Sequence, residues 1–147
     1  MSDLEQLADR IRLRDLVEAY AVHVDGRRPG AVAALFAEDG ELLVPTSPQT
    51  ADESIREVRG RTAIADIIGR PKAYQRSLHV VTGQHVELAG DHASGETRCL
   101  AHHIHTDHVD VWGIRYADNY VRNGTDWHFV SRQLHVDLRE KRFRVTP

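Results

Sequence analysis

Ser77-Leu78-His79-Val80-Val81-Thr82-Gly83-Gln84-His85-Val86-Glu87-Leu88-Ala89-Gly90-Asp91-His92 is a long β-branched run that stops at a glycine turn, and three similar runs follow it. Ala93 to His105, Val111 to Arg122 and Trp127 to Leu138 carry the same enrichment in Val, Ile, Tyr and Thr, and Asn123-Gly124-Thr125-Asp126 repeats the turn signal. Consecutive strands of about twelve residues joined by hairpin turns predict an antiparallel meander. Strands that long twist too strongly to stay flat, so the sheet is expected to curl and enclose something against helices.

Those helices precede the sheet. Leu4, Leu7, Ile11, Leu16, Tyr20 and Val24 recur at helical steps with Val17 alongside, and Ser2 with Glu5 has the spacing of a capping box. Asp25-Gly26 should end this helix, since glycine accepts the left-handed conformation found just past many helices. A second short helix is expected from Pro29 through Ala31, Val32, Leu35 and Phe36 to Asp39-Gly40, and Glu41 to Pro45 reads as a short strand. Thr46 to Val58 is polar and reads as a surface loop. Gly60 to Gly69 is a third helix with Ala63, Ile64, Ile67 and Ile68 inward, and Arg139 to Arg144 reads as a solvated tail.

The 147 residues are the size of one domain, residues 1–147, and 41% apolar with 28% charged composition is that of a globular chain. A net charge of −3 gives no electrostatic reason to expect nucleic acid. The lone Cys99 excludes an intrachain disulfide, the N-terminus carries no apolar signal core, and no apolar window is long enough to cross a bilayer. A cytoplasmic address and no membrane partner are expected.

The ten histidines raise two readings, a pocket or a metal site. By strand alternation His103 and His105 share a face with the small residues Cys99 and Ala101, which suit a concave lining, whereas His102 shares the other face with Leu100 and Ile104. His103, His105 and His108 would have to converge to hold a metal. With no Cys pair, no H-E-x-x-H helix and no Glu-x-x-His motif, no metal is expected. Arg132 is expected on the face of His128, Val130 and Leu134, opposite Trp127 and Phe129. There it either polarises a substrate or pairs with a surface acid. Tyr20 precedes Asp25 by five positions, about 140° apart on an ideal helix, so the two share a pocket only if the helix end unwinds or the pocket wraps around it. Cys99 reads as packing.

The order of elements, together with Leu13-Arg14-Asp15-Leu16, Tyr20, Asp25, Leu35-Phe36-Ala37-Glu38-Asp39-Gly40, Leu78-His79-Val80-Val81-Thr82-Gly83, Gly95 through His103, Arg115-Tyr116-Ala117-Asp118, Trp127 and Arg132, resembles the SnoaL-like branch of the nuclear-transport-factor-2-like superfamily. That resemblance implies an α+β fold, a cone-shaped barrel whose N-terminal helices pack in a strongly curved antiparallel sheet. The branch includes dehydratases, a dehydrochlorinase and isomerase-like members. It implies a His–Asp pair that abstracts a proton, at His79 and Asp25, with Tyr20 as a pocket phenol and His103 and Arg132 as substrate-binding residues. An imidazole oriented by a carboxylate is the side chain best matched to taking a proton at neutral pH. The implied function is a cofactor-free lyase or isomerase, dehydratase-like, acting on a hydrophobic cyclic small molecule. A non-catalytic binder of such a molecule and a cofactor-free hydrolase are the alternatives the same cup permits. Assembly into a homo-oligomer, a trimer ahead of a dimer, is expected through the outer face of the sheet.

Overall fold

Ser2 opens the first helix as a capping box: its hydroxyl accepts from the Glu5 amide at 3.1 Å while the Glu5 carboxylate accepts from the Ser2 amide at 2.7 Å. The structure, a computed structural model, describes residues 1–145. Helix α1 runs Asp3–Asp25 and buries Asp9, Leu13, Leu16, Val17, Tyr20 and Ala21. This corrects the predicted stripe in its first half. Leu4, Leu7 and Ile11 are exposed, because Leu4 lies about half a turn round the helix from Leu13, on the side away from the sheet. The helix ends at Gly26 in ordinary right-handed geometry (φ −77°), and the left-handed residue is Arg27 (φ 53°) rather than the glycine.

Helix α2 is Pro29–Ala34, shorter than expected, and strand β1 (Phe36–Pro45) begins where the helix was predicted to continue. The reason is tertiary: Phe36 is fully buried, pairs with Phe129 in parallel register, and packs its ring 5.1 Å from that of Phe129. Strand β2 (Ile55–Arg59) lies inside the predicted loop and pairs with β1, Val58 opposite Leu42. Only Val58 of this strand is buried, so it has almost no apolar alternation to reveal it. Helix α3 follows at Arg61–Ile68.

The predicted meander is present as β3 (Arg76–Ala89), β4 (His92–Ile104), β5 (His108–Asn123) and β6 (Asp126–Phe143). Gly90 (φ 64°) and Gly124 (φ 66°) supply the left-handed turns between β3 and β4 and between β5 and β6. The expected solvated tail is instead the exposed end of β6, where Arg142 pairs with Val109 and Glu140 with Val111 of β5. The sheet order is β2-β1-β6-β5-β4-β3, with β1 parallel to β6 and the other pairs antiparallel. The α+β architecture is therefore the expected one, N-terminal helices packed on a curved, unclosed six-stranded sheet.

Two bulges decide what faces inward. In β3 the register slips at Thr82, so that Val81 and Gln84 both point to the core side. In β6 it slips at Val130, between Phe129 and Ser131. The second slip corrects the expected facing of Arg132: Trp127, Phe129 and Arg132 are all buried, and Val130 is turned out.

Arg132 is 1% exposed and sits in the middle of the core. Its Nε donates to Asp118 Oδ1 at 2.9 Å, and its guanidinium carbon lies 4.3 Å from the Tyr20 ring, 3.7 Å from Tyr116 and 4.6 Å from Phe129. Burial works against the cation, but the Asp118 carboxylate and the surrounding phenols outweigh it and raise the Arg132 pKa further. Asp118 also accepts from the Thr97 hydroxyl at 2.8 Å and from Tyr120 at 3.0 Å. A second buried carboxylate, Asp9 of α1, accepts from Trp127 Nε1 at 2.9 Å and Arg122 at 2.8 Å, fastening the helix to the β5–β6 hairpin. Removing one partner of a buried pair costs about 3–5 kcal/mol, because the other charge is left uncompensated. Asp118→Asn should therefore lower the unfolding free energy in urea titration by about that amount. The double replacement Asp118→Leu/Arg132→Met should lose less than Asp118→Asn alone.

Candidate active site

The last residue of α1 grips the first residues of β3. Asp25 Oδ2 accepts the backbone N–H of His79 at 2.8 Å, its Oδ1 lies 2.6 Å from His79 Nδ1, and the Ser77 hydroxyl donates to the same Oδ1 at 2.9 Å. Ser77 and His79 are two apart on a strand and so share a face. Burial alone would raise the Asp25 pKa. The hydrogen bonds from the His79 ring, the His79 backbone and Ser77 outweigh it and hold the carboxyl below the usual carboxylate range. A carboxylate can only accept, so Nδ1 carries a proton in this pair, and in the neutral imidazole the lone pair is then on Nε2.

His79 lines a cavity of about 370 Å³ together with Tyr20, Val24, His103 and Tyr116. Tyr20 and Tyr116 are almost fully buried, and among the described residues neither hydroxyl has a hydrogen-bond partner, while both rings border the cavity. Burial pushes the Tyr20 phenol up to about 12, so it is a proton donor and not an anion at neutral pH. Helix α1 stays helical through Asp25, and the angular question set by the sequence is answered without unwinding. Tyr20 and Val24 border the cavity, while Asp25 turns towards β3 and reaches the site through His79.

His103 is buried with its ring stacked 4.4 Å from Tyr74, edge-on to Trp112 at 4.6 Å and 6.1 Å from the His79 ring. Burial and the neighbouring His79 push its pKa down to about 4, so it is neutral at physiological pH. Its facing agrees with strand alternation, as does that of buried Cys99, whose thiol burial pushes up to about 11. Arg132 is not on the cavity lining. It lies behind the wall, under the rings of Tyr20 and Tyr116, because the Val130 bulge turns it into the core.

His105 is likewise off the lining, and His103, His105 and His108 do not converge. His105 stacks on His108 at 4.1 Å, and its Nε2 lies 3.2 Å from Asp110. Among the described residues His105, His108 and Asp110 form the one group whose ligand atoms, within 4.8 Å of one another, could hold a metal ion. Sequence reasoning missed Ser77, although its shared parity with His79 was a usable signal. It missed Tyr74 because that residue lies in the irregular segment between α3 and β3, where no periodicity marks direction.

Among the described residues no helix is long and apolar enough to cross a membrane. The chain is 24% identical over 132 residues to hexachlorocyclohexane dehydrochlorinase 1 of Sphingobium indicum, covering 86% of this chain and 80% of that protein. Its fold superposes on a hexachlorocyclohexane dehydrochlorinase of Novosphingobium barchaimii with a TM-score of 0.81 at 20% identity, over 99% of this chain and 100% of the other. A candidate scytalone dehydratase of Novosphingobium aromaticivorans superposes with a TM-score of 0.79 at 21% identity, over 99% and 94% of the two chains. The model of the SnoaL-like domain matches residues 5–133, nearly the whole helix-and-cone architecture, and the chain belongs to that family.

Proposed function

We propose that the chain is a lyase or isomerase that removes a C–H proton from a hydrophobic cyclic small molecule, with His79 as base and Asp25 as the residue that orients it. The observation that carries this reading is the Asp25–His79 pair itself, held by three contacts of Asp25 to β3, with His79 in the lining of the cavity. The dehydrochlorinase relatives make proton removal with loss of a leaving group the natural class of reaction.

In this scheme His79 Nε2 takes the proton, the C–H electrons form the new double bond or enolate, and Asp25 stabilises the imidazolium. Tyr20 donates a hydrogen bond to the developing oxyanion or leaving hydroxyl, and neutral His103 supplies a second polar contact from the strand beside His79. Where the leaving group is a hydroxyl, the proton held by His79 completes a water molecule. Arg132 acts through the phenol rings above it. Neither step calls for a redox or group-transfer cofactor. A homo-oligomer accords with the exposed Leu78, Val80, Leu100 and Leu138 on the outer face of the sheet. Sedimentation equilibrium returning a single 16.6 kDa chain would remove that part of the proposal.

The test is deuterium exchange from solvent into a panel of cyclic ketones and hydroxylated polyketide or steroid fragments. His79→Ala should lower exchange by about 10²- to 10⁴-fold, and Asp25→Asn should lower it in the same direction. No His79-dependent exchange across the panel would leave a binding protein in place of an enzyme. The neutral state of His103 has its own signature. Its folded pKa of about 4 lies below the ordinary 6.5, so the unfolded chain binds the proton first. Its contribution to stability is full above pH 6.5 and is lost as pH falls towards 4. Urea unfolding across that window should show a flatter pH dependence in His103→Asn than in wild type, while Asp25 contributes its loss only at lower pH.

A further inference from the structure

The cavity is polarised along its depth. Its buried end holds His79, His103, Tyr20 and Tyr116, and its walls include Val44, Ile67 and Ile68. Its exposed rim carries three cations, Arg27, Arg70 and Lys72, in a chain whose net charge is −3. Among the described residues none of the three has a carboxylate within ion-pair distance, whereas eight arginines elsewhere do. Asp25, beside the site, is committed to Ser77 and His79 and is off the lining.

We infer that the molecule this cavity takes is amphipathic, an apolar body with an anionic group at the end facing the rim, where Arg70 and Lys72 recognise it. The inference rests on the reading that this cavity is the substrate site. Arg27 fixes the rim: its guanidinium donates to the carbonyls of Tyr74 at 3.0 Å and Gln75 at 2.8 Å, which holds the segment between α3 and β3 in place with its charge beside it. Arg70 and Lys72 make no side-chain hydrogen bond among the described residues, so their donors are free. Burial, then repulsion from Arg70 and Arg27, push the Lys72 pKa down, the condition of a cation cluster that lacks its counter-ion. A carboxylate, sulfonate or phosphate on the ligand would supply the missing charge and orient the molecule, so that its far end meets His79.

The probes are anilinonaphthalenesulfonate and N-phenylnaphthylamine, the same aromatic body with and without the anion, titrated by fluorescence at neutral pH. Wild type should bind the sulfonate on the order of tenfold more tightly, and the preference should shrink as salt is added, since the rim is exposed. Arg70→Gln/Lys72→Gln should bring the sulfonate to the level of the neutral dye and leave the neutral dye unchanged, which reports an intact cavity. Equal affinities in wild type overturn the inference, as does a preference that survives the double variant. Lys72→Gln alone supplies the same comparison should the double variant not fold. The dyes undergo no reaction, so this outcome and that of the exchange experiment fail independently.

Discussion

A guanidinium at the centre of the core is the constraint around which the molecule is arranged. Arg132 cannot be hydrated there, so it must have a carboxylate, and Asp118 is held opposite it by Thr97 and Tyr120. The remaining faces of the guanidinium are covered by the rings of Tyr20, Tyr116 and Phe129, one from the helix and two from the sheet. Helix α1 is thus positioned by a charge as much as by apolar packing, and Tyr20 is set at the cavity as a result. The same device recurs at the other end of the helix, where Asp9 is buried against Trp127 and Arg122.

Asp25 carries this order to the surface of the site. One carboxylate bonds both the ring and the backbone of His79 and is itself bonded by Ser77, so the orienting group of the proposed base is also a clamp between α1 and β3. Position and chemistry are therefore not separable at Asp25. A change there alters the tautomer of His79 and the docking of the helix end together. His103 differs, since its ring is fixed by Tyr74 and Trp112 and its neutrality follows from burial.

The long strands were legible because β-branched runs and glycine turns are local signals, and Gly90 and Gly124 fall where the turns occur. The cavity-facing side of β4 was legible too, because no bulge interrupts the alternation from Cys99 to His103. Arg132 was misplaced for the complementary reason. A bulge at Val130 reverses parity within six residues of Trp127, and nothing in a residue's own type announces it. Strand β2 and the start of β1 were hidden because Val58 and Phe36 owe their conformation to partners far along the chain. The exposed Leu4, Leu7 and Ile11 show that helical spacing gives a face without saying which neighbour it meets.

The parallel pairing of β1 with β6 joins Phe36 to Phe129, whereas every other pairing in the sheet joins strands that are consecutive along the chain. The meander from β3 to β6 can zip hairpin by hairpin, but this contact must close a loop of most of the chain, the costliest entropy in the topology. The cavity draws Leu42 and Val44 from one side of that closure and Leu134 from the other. A cavity built across that seam is complete only when its two sides have met, so ligand binding reports on the closure of β1 onto β6.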